Sequence, residues 1–158
     1  MTTTRGLEGV VAANSAVSSI IDDVLTYRGY NIDDLAENAS FEEVVYLLWN
    51  DKLPTKAELN DLNAQLAEHA TIPQELIDQM KSYPLKDVHP MAALRTAVST
   101  LALYDNDADN MSEEANYVKA IKIQAKIATI VAAFSRLRNG QEPVQPKKGL
   151  SYAANFLY

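Results

Sequence analysis

Residues 112–138 constrain the fold more than any other stretch of this chain. Ser112 suits a helix N-cap, and the pattern behind it predicts one helix running to Arg138, about 40 Å long at 1.5 Å per residue. Its first half is amphipathic, with Tyr117, Val118, Ile121 and Ala125 on one side. Its second half, Ile127 to Phe134, is apolar nearly all round, and a helix of that kind must be buried on most sides. A single 158-residue domain has little room to do so by itself. Only 5 glycines and 6 prolines punctuate the chain, too few for many short strands. With 47% apolar residues a real core is affordable, and the expected fold class is all-α and multi-helical.

Residues 1–30 are the exception. Val10-Val11-Ala12-Ala13, Val17 to Ile21 and Val24 to Tyr27 are rich in β-branched residues, and Asp22-Asp23 separates the last two like a tight turn. The reading is a short N-terminal β arm or hairpin. Helical signals follow. Asn31 caps a helix through Ala36, with Asp33 and Asp34 in its first turn. Ser40-Phe41-Glu42-Glu43 is a capping box opening a helix whose apolar face is Phe41, Val44, Val45 and Leu48. Thr55-Lys56-Ala57-Glu58 is a second box, and its helix shows a narrow stripe of Leu59, Leu62 and Leu66. Pro73 suits the N1 position of a helix reaching about Ser82, with Leu76 and Met80 inward. His89-Pro90 opens a helix in which Met91, Leu94, Val98, Leu101 and Leu103 alternate with alanine and serine; so many small residues let a neighbouring backbone approach closely, deep in the protein or at a subunit partner. Asp105 to Asn110 is a polar loop, and Gly140, Pro143 and Pro146 mark another. Ser151 caps a last, mostly apolar helix without a C-cap, so the helix is expected to continue beyond Tyr158.

Composition excludes several function classes. A net charge of −7 repels a phosphate backbone, and the basic clusters found by contiguity, Arg136 with Arg138 and Lys147 with Lys148, are small, so no nucleic-acid partner is expected. There are no cysteines, hence no disulfide and no thiolate metal site. Met1 to Arg5 lack the apolar stretch of a secretory signal, and no run approaches the length of a membrane span, so a cytoplasmic protein without membrane partners is expected. Chemistry is also scarce. No nucleophile elbow, Walker loop or dinucleotide fingerprint occurs. The two histidines read as structural: His69 in the last turn of a surface helix, where a cation suits the dipole, and His89 as a cap or core residue. Neither shows metal-ligand spacing, and no metal is expected. The carboxylate pairs Asp33-Asp34, Glu42-Glu43 and Glu113-Glu114 sit at helix starts and Asp22-Asp23 at a turn, where local structure accounts for them without general acid–base work.

Several segments, in order, resemble the citrate synthase family. These are Arg5-Gly6-Leu7-Glu8-Gly9, Tyr27-Arg28-Gly29-Tyr30 with Asn31 to Ala36, Phe41 to Trp49, His89-Pro90-Met91, Ile123 through Phe134, and Leu150 to Tyr158. The resemblance implies that residues 1–158 are the N-terminal portion of the large helical domain, with the small catalytic domain absent. It implies a parent enzyme that condenses acetyl-coenzyme A with oxaloacetate to citrate and coenzyme A, the thioester being a substrate and no cofactor being needed. It further implies a homodimer contacting through helices 41–50 and 90–104. The family's two catalytic histidines lie in a glycine-proline-leucine-histidine-glycine type motif and a glycine-histidine-(arginine or lysine) motif, and neither occurs here. No catalytic residue is therefore carried over, and the chain alone is expected to be inactive. Arg5 matches an arginine that contacts the phosphates of coenzyme A in some members, and a guanidinium suits that task. Ala128 departs from the proline usual in the long helix, which implies a straighter helix here. Two other readings stay open on residues alone: a 2-methylcitrate synthase fragment, since one methylene changes only the shape of a pocket, and a non-catalytic helical module that binds a protein partner.

Overall fold

A computed structural model describes Val11 and residues 13–158, which divide into two compact units, one ending at Asn60 and the other spanning Asp61–Tyr158. The expected strand residues Val10 and Ala12, and Arg5, lie outside the described residues, and Val11 and Ala13 belong to no strand.

The first unit carries the expected hairpin. Strands β1 (Ser18–Ile21) and β2 (Val24–Tyr27) pair antiparallel with Ile21 opposite Val24, and β3 (Tyr30–Asn31) adds a short third strand that the sequence pattern did not announce. Asp22 and Asp23 take left-handed φ values of 50° and 63°, as a two-residue hairpin turn requires, and aspartate tolerates that region better than most residues. The second turn uses Arg28 (φ 48°) and Gly29 (φ 85°). Glycine is natural there; arginine is not. Its side chain supplies the compensation: Nη2 donates to the carbonyl of Leu48 at 2.8 Å, and the guanidinium pairs with Asp51.

Asn31 caps α1 (Ile32–Asn38), which runs two residues past the expected end. The Ser40–Glu43 capping box opens α2 (Phe41–Asn50), and Asp51 closes it in the left-handed conformation. Within α2 the buried residues are Val45, Tyr46 and Leu47, whereas Phe41 is 52% exposed and Val44 and Leu48 are half-buried. Tyr46 is not on the apolar face expected from the sequence; its hydroxyl reaches Glu58, and the buried arc turns with it.

The second capping box opens α3 (Lys56–His69), within which the division between the units falls. Glu58 accepts from the Lys52 ammonium at 2.7 Å and from the Thr55 backbone N–H and hydroxyl at 2.8 Å each, as well as from Tyr46. These donors favour the ionised form and hold its carboxyl down at about 2 from an ordinary 4.5. A depressed carboxyl stabilises the fold fully above its unfolded pKa and loses that contribution as pH falls through the folded one. Glu58→Gln is therefore expected to flatten the acid loss of stability between pH 4.5 and about 2, read as urea midpoints against pH. An unchanged acid limb would contradict the assignment.

The second unit holds the main core. Helices α4 (Gln74–Lys81), α5 (Pro90–Thr100), which continues as a 3-10 turn at Leu101–Tyr104, and α6 (Glu113–Arg138) pack together, and α7 (Tyr152–Leu157) lies against α6. Pro73 stands at the N-cap of α4, one residue before the expected N1 position. The core joins Ile72, Leu76, Ile77 and Met80 to Ala93 and Ala97 of α5 and to Ile130, Ala133, Phe134 and Leu137 of α6. The small residues of α5 thus serve its own unit: Ala93 and Ala97 let α6 come close, and Met91 and Leu103 point outward at 61% and 81% exposure. Helix α6 runs unbroken through Ala128, as alanine permits. Only part of its circumference is covered, since Ile127 and Val131, on the flank of the core stripe, are only half-buried. Among the described residues, no helix is long and apolar enough to cross a membrane.

Candidate functional site

The residues singled out by sequence are held apart, each by a local structural task. Glu43 accepts from the Ser40 backbone N–H at 2.7 Å and the Ser40 hydroxyl at 2.8 Å, which holds its carboxyl below the usual range. Asp33 with Asp34, and Glu113 with Glu114, occupy the first turns of α1 and α6. His89 is the N-cap of α5: Nδ1 accepts from the Met91 N–H at 3.2 Å, so the lone pair that a general base would use is engaged. Burial and then the charge of Lys126 lower the pKa of His69, in the last turn of α3, where the helix end favours a cation. Lys126 supplies it, donating from Nζ to the His69 carbonyl at 2.6 Å. Arg136 donates to the Glu142 carbonyl, and Arg138 lies over the Phe134 ring while reaching the Lys86 carbonyl, so both carry structural contacts.

The connector after α3 is held by side chains from α6 and beyond. Thr129, buried, donates to the Ala70 carbonyl at 2.8 Å. Gln145 donates to the Ile72 carbonyl and accepts from the Ile72 N–H, standing in for a strand neighbour. These bonds satisfy backbone groups just beyond the end of α3 and fix Thr71, Ile72 and Pro73 as one wall of a cleft of about 480 Å3. The other walls are Val98 and Leu101 at the end of α5, the loop at Asp105 and Ala108, and a stripe of α6. That stripe is Lys119, Lys122, Ile123 and Lys126, the i, i+3, i+4, i+7 spacing of one helix face.

Each ammonium on the stripe is tethered. Lys119 donates to the carbonyls of Ala108 and Asn110. Lys122 reaches both oxygens of Asp105, at 2.9 and 3.0 Å, and pulls that carboxyl below its ordinary range. Burial, then the charge of Lys122, lowers the pKa of Lys126. Among the described residues, neither Lys119 nor Lys126 has a carboxylate within ion-pair distance. Three lysines against one aspartate leave the lining net positive in a chain of net charge −7. A contiguity search for basic residues misses this cluster, and the helical spacing of the lysines finds it.

The cleft can bind negative charge beside apolar surface. Two of its amines are donors fixed on carbonyls and the third is paired with Asp105, and no hydroxyl–imidazole or imidazole–carboxylate pair is assembled among its lining residues. Among the described residues, no group of three or more histidine, aspartate or glutamate side chains could hold a metal ion.

Comparison with known proteins supplies what the geometry does not. The family model described as "Citrate synthase, C-terminal domain" matches residues 6–158. The chain is 64% identical over 158 residues to citrate synthase 2 of Bacillus subtilis (strain 168), covering 100% of this chain and 42% of that protein. It is 45% identical to the citrate synthase of Haloferax volcanii, covering 98% of this chain and 42% of that protein. The crystal structure of citrate synthase from Pyrobaculum aerophilum superimposes with a TM-score of 0.87 at 36% identity, over 97% of this chain and 40% of that one. The chain thus spans about two-fifths of the length of the relatives it matches.

Proposed function

The chain belongs to the citrate synthase family, a family of acyltransferases, and from that premise we propose that it is the N-terminal portion of the large helical domain of such an enzyme. The whole enzyme would join the methyl carbon of acetyl-coenzyme A to the keto carbon of oxaloacetate, and hydrolysis of the resulting thioester would release citrate and coenzyme A. That reaction needs a base for the methyl proton and a donor for the developing enolate oxygen.

The observation that carries the proposal is the state of the two histidines. His89 is occupied as a helix cap, and burial with the nearby Lys126 lowers the pKa of His69. Neither lies in a motif matching the family's catalytic histidines, and neither lines the cleft. By this reading the catalytic groups and the small domain reside in the remaining three-fifths of the polypeptide, and the 158-residue chain is inactive by itself. Arg5 is carried forward as a contact to the phosphates of coenzyme A, on the resemblance of Arg5-Gly6-Leu7-Glu8-Gly9 alone.

The whole enzyme is proposed to be a cytoplasmic homodimer contacting through helices 41–50 and 90–104. Because Ala93 and Ala97 are engaged within the second unit, the surfaces these segments offer a partner are different ones: Phe41 in the first, and Met91 with Leu103 in the second. The experiment is to express the reading frame extended beyond Tyr158 and to assay thiol release with oxaloacetate and acetyl-coenzyme A, with propionyl-coenzyme A in a parallel arm. Turnover with the acetyl substrate preferred is expected. No turnover would defeat the proposal, and a preference for propionyl-coenzyme A would reassign it to 2-methylcitrate synthesis.

A further inference from the structure

We infer that the cleft beside α6 is the seat of an apolar, carboxylate-bearing segment from the part of the enzyme that this chain does not span, with its carboxylates paired to Lys126 and Lys119. The inference rests on the proposed function, since it takes the chain to be part of a longer polypeptide.

Three observations carry it. Ile123 lies on the cleft stripe with 39% of its surface exposed, in the middle of the longest helix of the fold, and Val98, Leu101 and Ile72 extend the same apolar wall. An aliphatic wall gains stability when it is covered by other apolar groups. The charge beside it is also uncompensated. Lys122 has Asp105, but Lys126 has lost solvation and Lys119 is half-buried, and neither has an ion-pair partner among the described residues. A half-buried ammonium bonded only to carbonyls is stabilised by an added carboxylate. Finally, the relatives supply an occupant of sufficient length, because this chain covers 42% of them and the rest of each polypeptide lies outside it.

Lys119 and Lys126 are seven residues apart on one face, about 10.5 Å along the helix, so the two carboxylates lie at separate points along the occupant. Between them, Ile123 calls for an aliphatic or aromatic side chain. The occupant is thus an acid–apolar–acid segment, complementary to a positive, apolar wall in an otherwise acidic chain.

The chain contains no cysteine, so Ile123→Cys places one thiol at the centre of the cleft. Its alkylation rate is measured by peptide mass mapping in the 158-residue chain and in the extended polypeptide, each normalised to its urea-unfolded form. Alkylation is expected to be at least about tenfold slower in the extended polypeptide. Adding Lys126→Glu, which sets like charge against the occupant's carboxylate, is expected to restore most of the faster rate, whereas Lys126→Met restores only part of it. Should the cysteine variant fail to fold, acetylation of Lys126 in the unsubstituted proteins reads the same protection. Equal rates in both lengths, from an extended polypeptide that turns over acetyl-coenzyme A, would overturn the cleft inference and leave the proposed function standing. Protection in the 158-residue chain that grows with its concentration would assign the cleft to a second copy and overturn the inference too. An extended polypeptide without turnover removes the proposed function, and the inference falls with it.

Discussion

Replacing Ile130 with alanine is expected to lower the unfolding free energy by about 3 kcal/mol, near the middle of the range for emptying a well-packed aliphatic site. Ile130 is 1% exposed and belongs to the cluster in which α4, α5 and α6 meet. The loss has two parts: the transfer free energy of the deleted carbons, and a cavity that the surroundings only partly close. The neighbours set the second part. Ala93, Ala97 and Ala133 of the same cluster have no rotamers with which to fill the space, which leaves its closure to longer members such as Leu76 and Met80 and keeps it partial. Ile123→Ala, seven residues earlier on the same helix but on the open cleft wall, is expected to cost less than about 1 kcal/mol, because little packed volume is lost. Urea unfolding of both variants checks the contrast. Equal losses would mean that the second half of α6 is not the buried half.

Arg28 gives the second large effect, because two opposed terms meet in one residue. Its left-handed backbone costs a side-chain-bearing residue about 1 kcal/mol relative to glycine. Its guanidinium returns more, binding the Leu48 carbonyl and Asp51 and so tying the second β turn to the end of α2. A charge-assisted bond of this kind contributes about 2 kcal/mol. The Nε N–H is buried without an acceptor among the described residues, which offsets part of that gain. Arg28→Ala keeps the strain and loses the bonds, and is expected to destabilise by about 2 kcal/mol. Arg28→Gly loses the bonds and relieves the strain, and is expected to be the milder change by about 1 kcal/mol. If denaturation showed the glycine variant to be the less stable, the strain argument would be wrong.

Features governed by local physics were legible in the sequence. Ser40 with Glu43 and Thr55 with Glu58 are capping boxes as read, because capping depends on residues three apart. The caps at Asn31, Ser112 and Ser151 follow from side chains bonding their own neighbourhood, and the hairpin turn at Asp22-Asp23 from two residues that tolerate the left-handed region. Features set by distant partners were not. Nothing near Tyr46 announces that its hydroxyl meets Glu58, so the buried arc of α2 was misplaced onto Phe41. The sequence places His69 at the end of α3 but does not announce that Lys126, 57 positions away, donates to its carbonyl. The small residues of α5 announced a close approach but not to what, and α6 is the answer. The lysines of the cleft follow helical spacing but gain meaning only when Asp105 and the 71–73 segment close around them.

The same division applies to function. The resemblance of the ordered segments pointed to the family, and the family match bears it out, while the two family histidine motifs do not occur in the sequence. By the proposed reading these helices are scaffold, and the groups that move protons lie elsewhere in the polypeptide. The most direct measurement is thiol release by the purified 158-residue chain, given acetyl-coenzyme A and oxaloacetate at saturating concentrations. The account predicts a rate indistinguishable from the protein-free blank. Oxaloacetate-dependent release of coenzyme A that scales with the concentration of this chain, and disappears when it is unfolded, would contradict it.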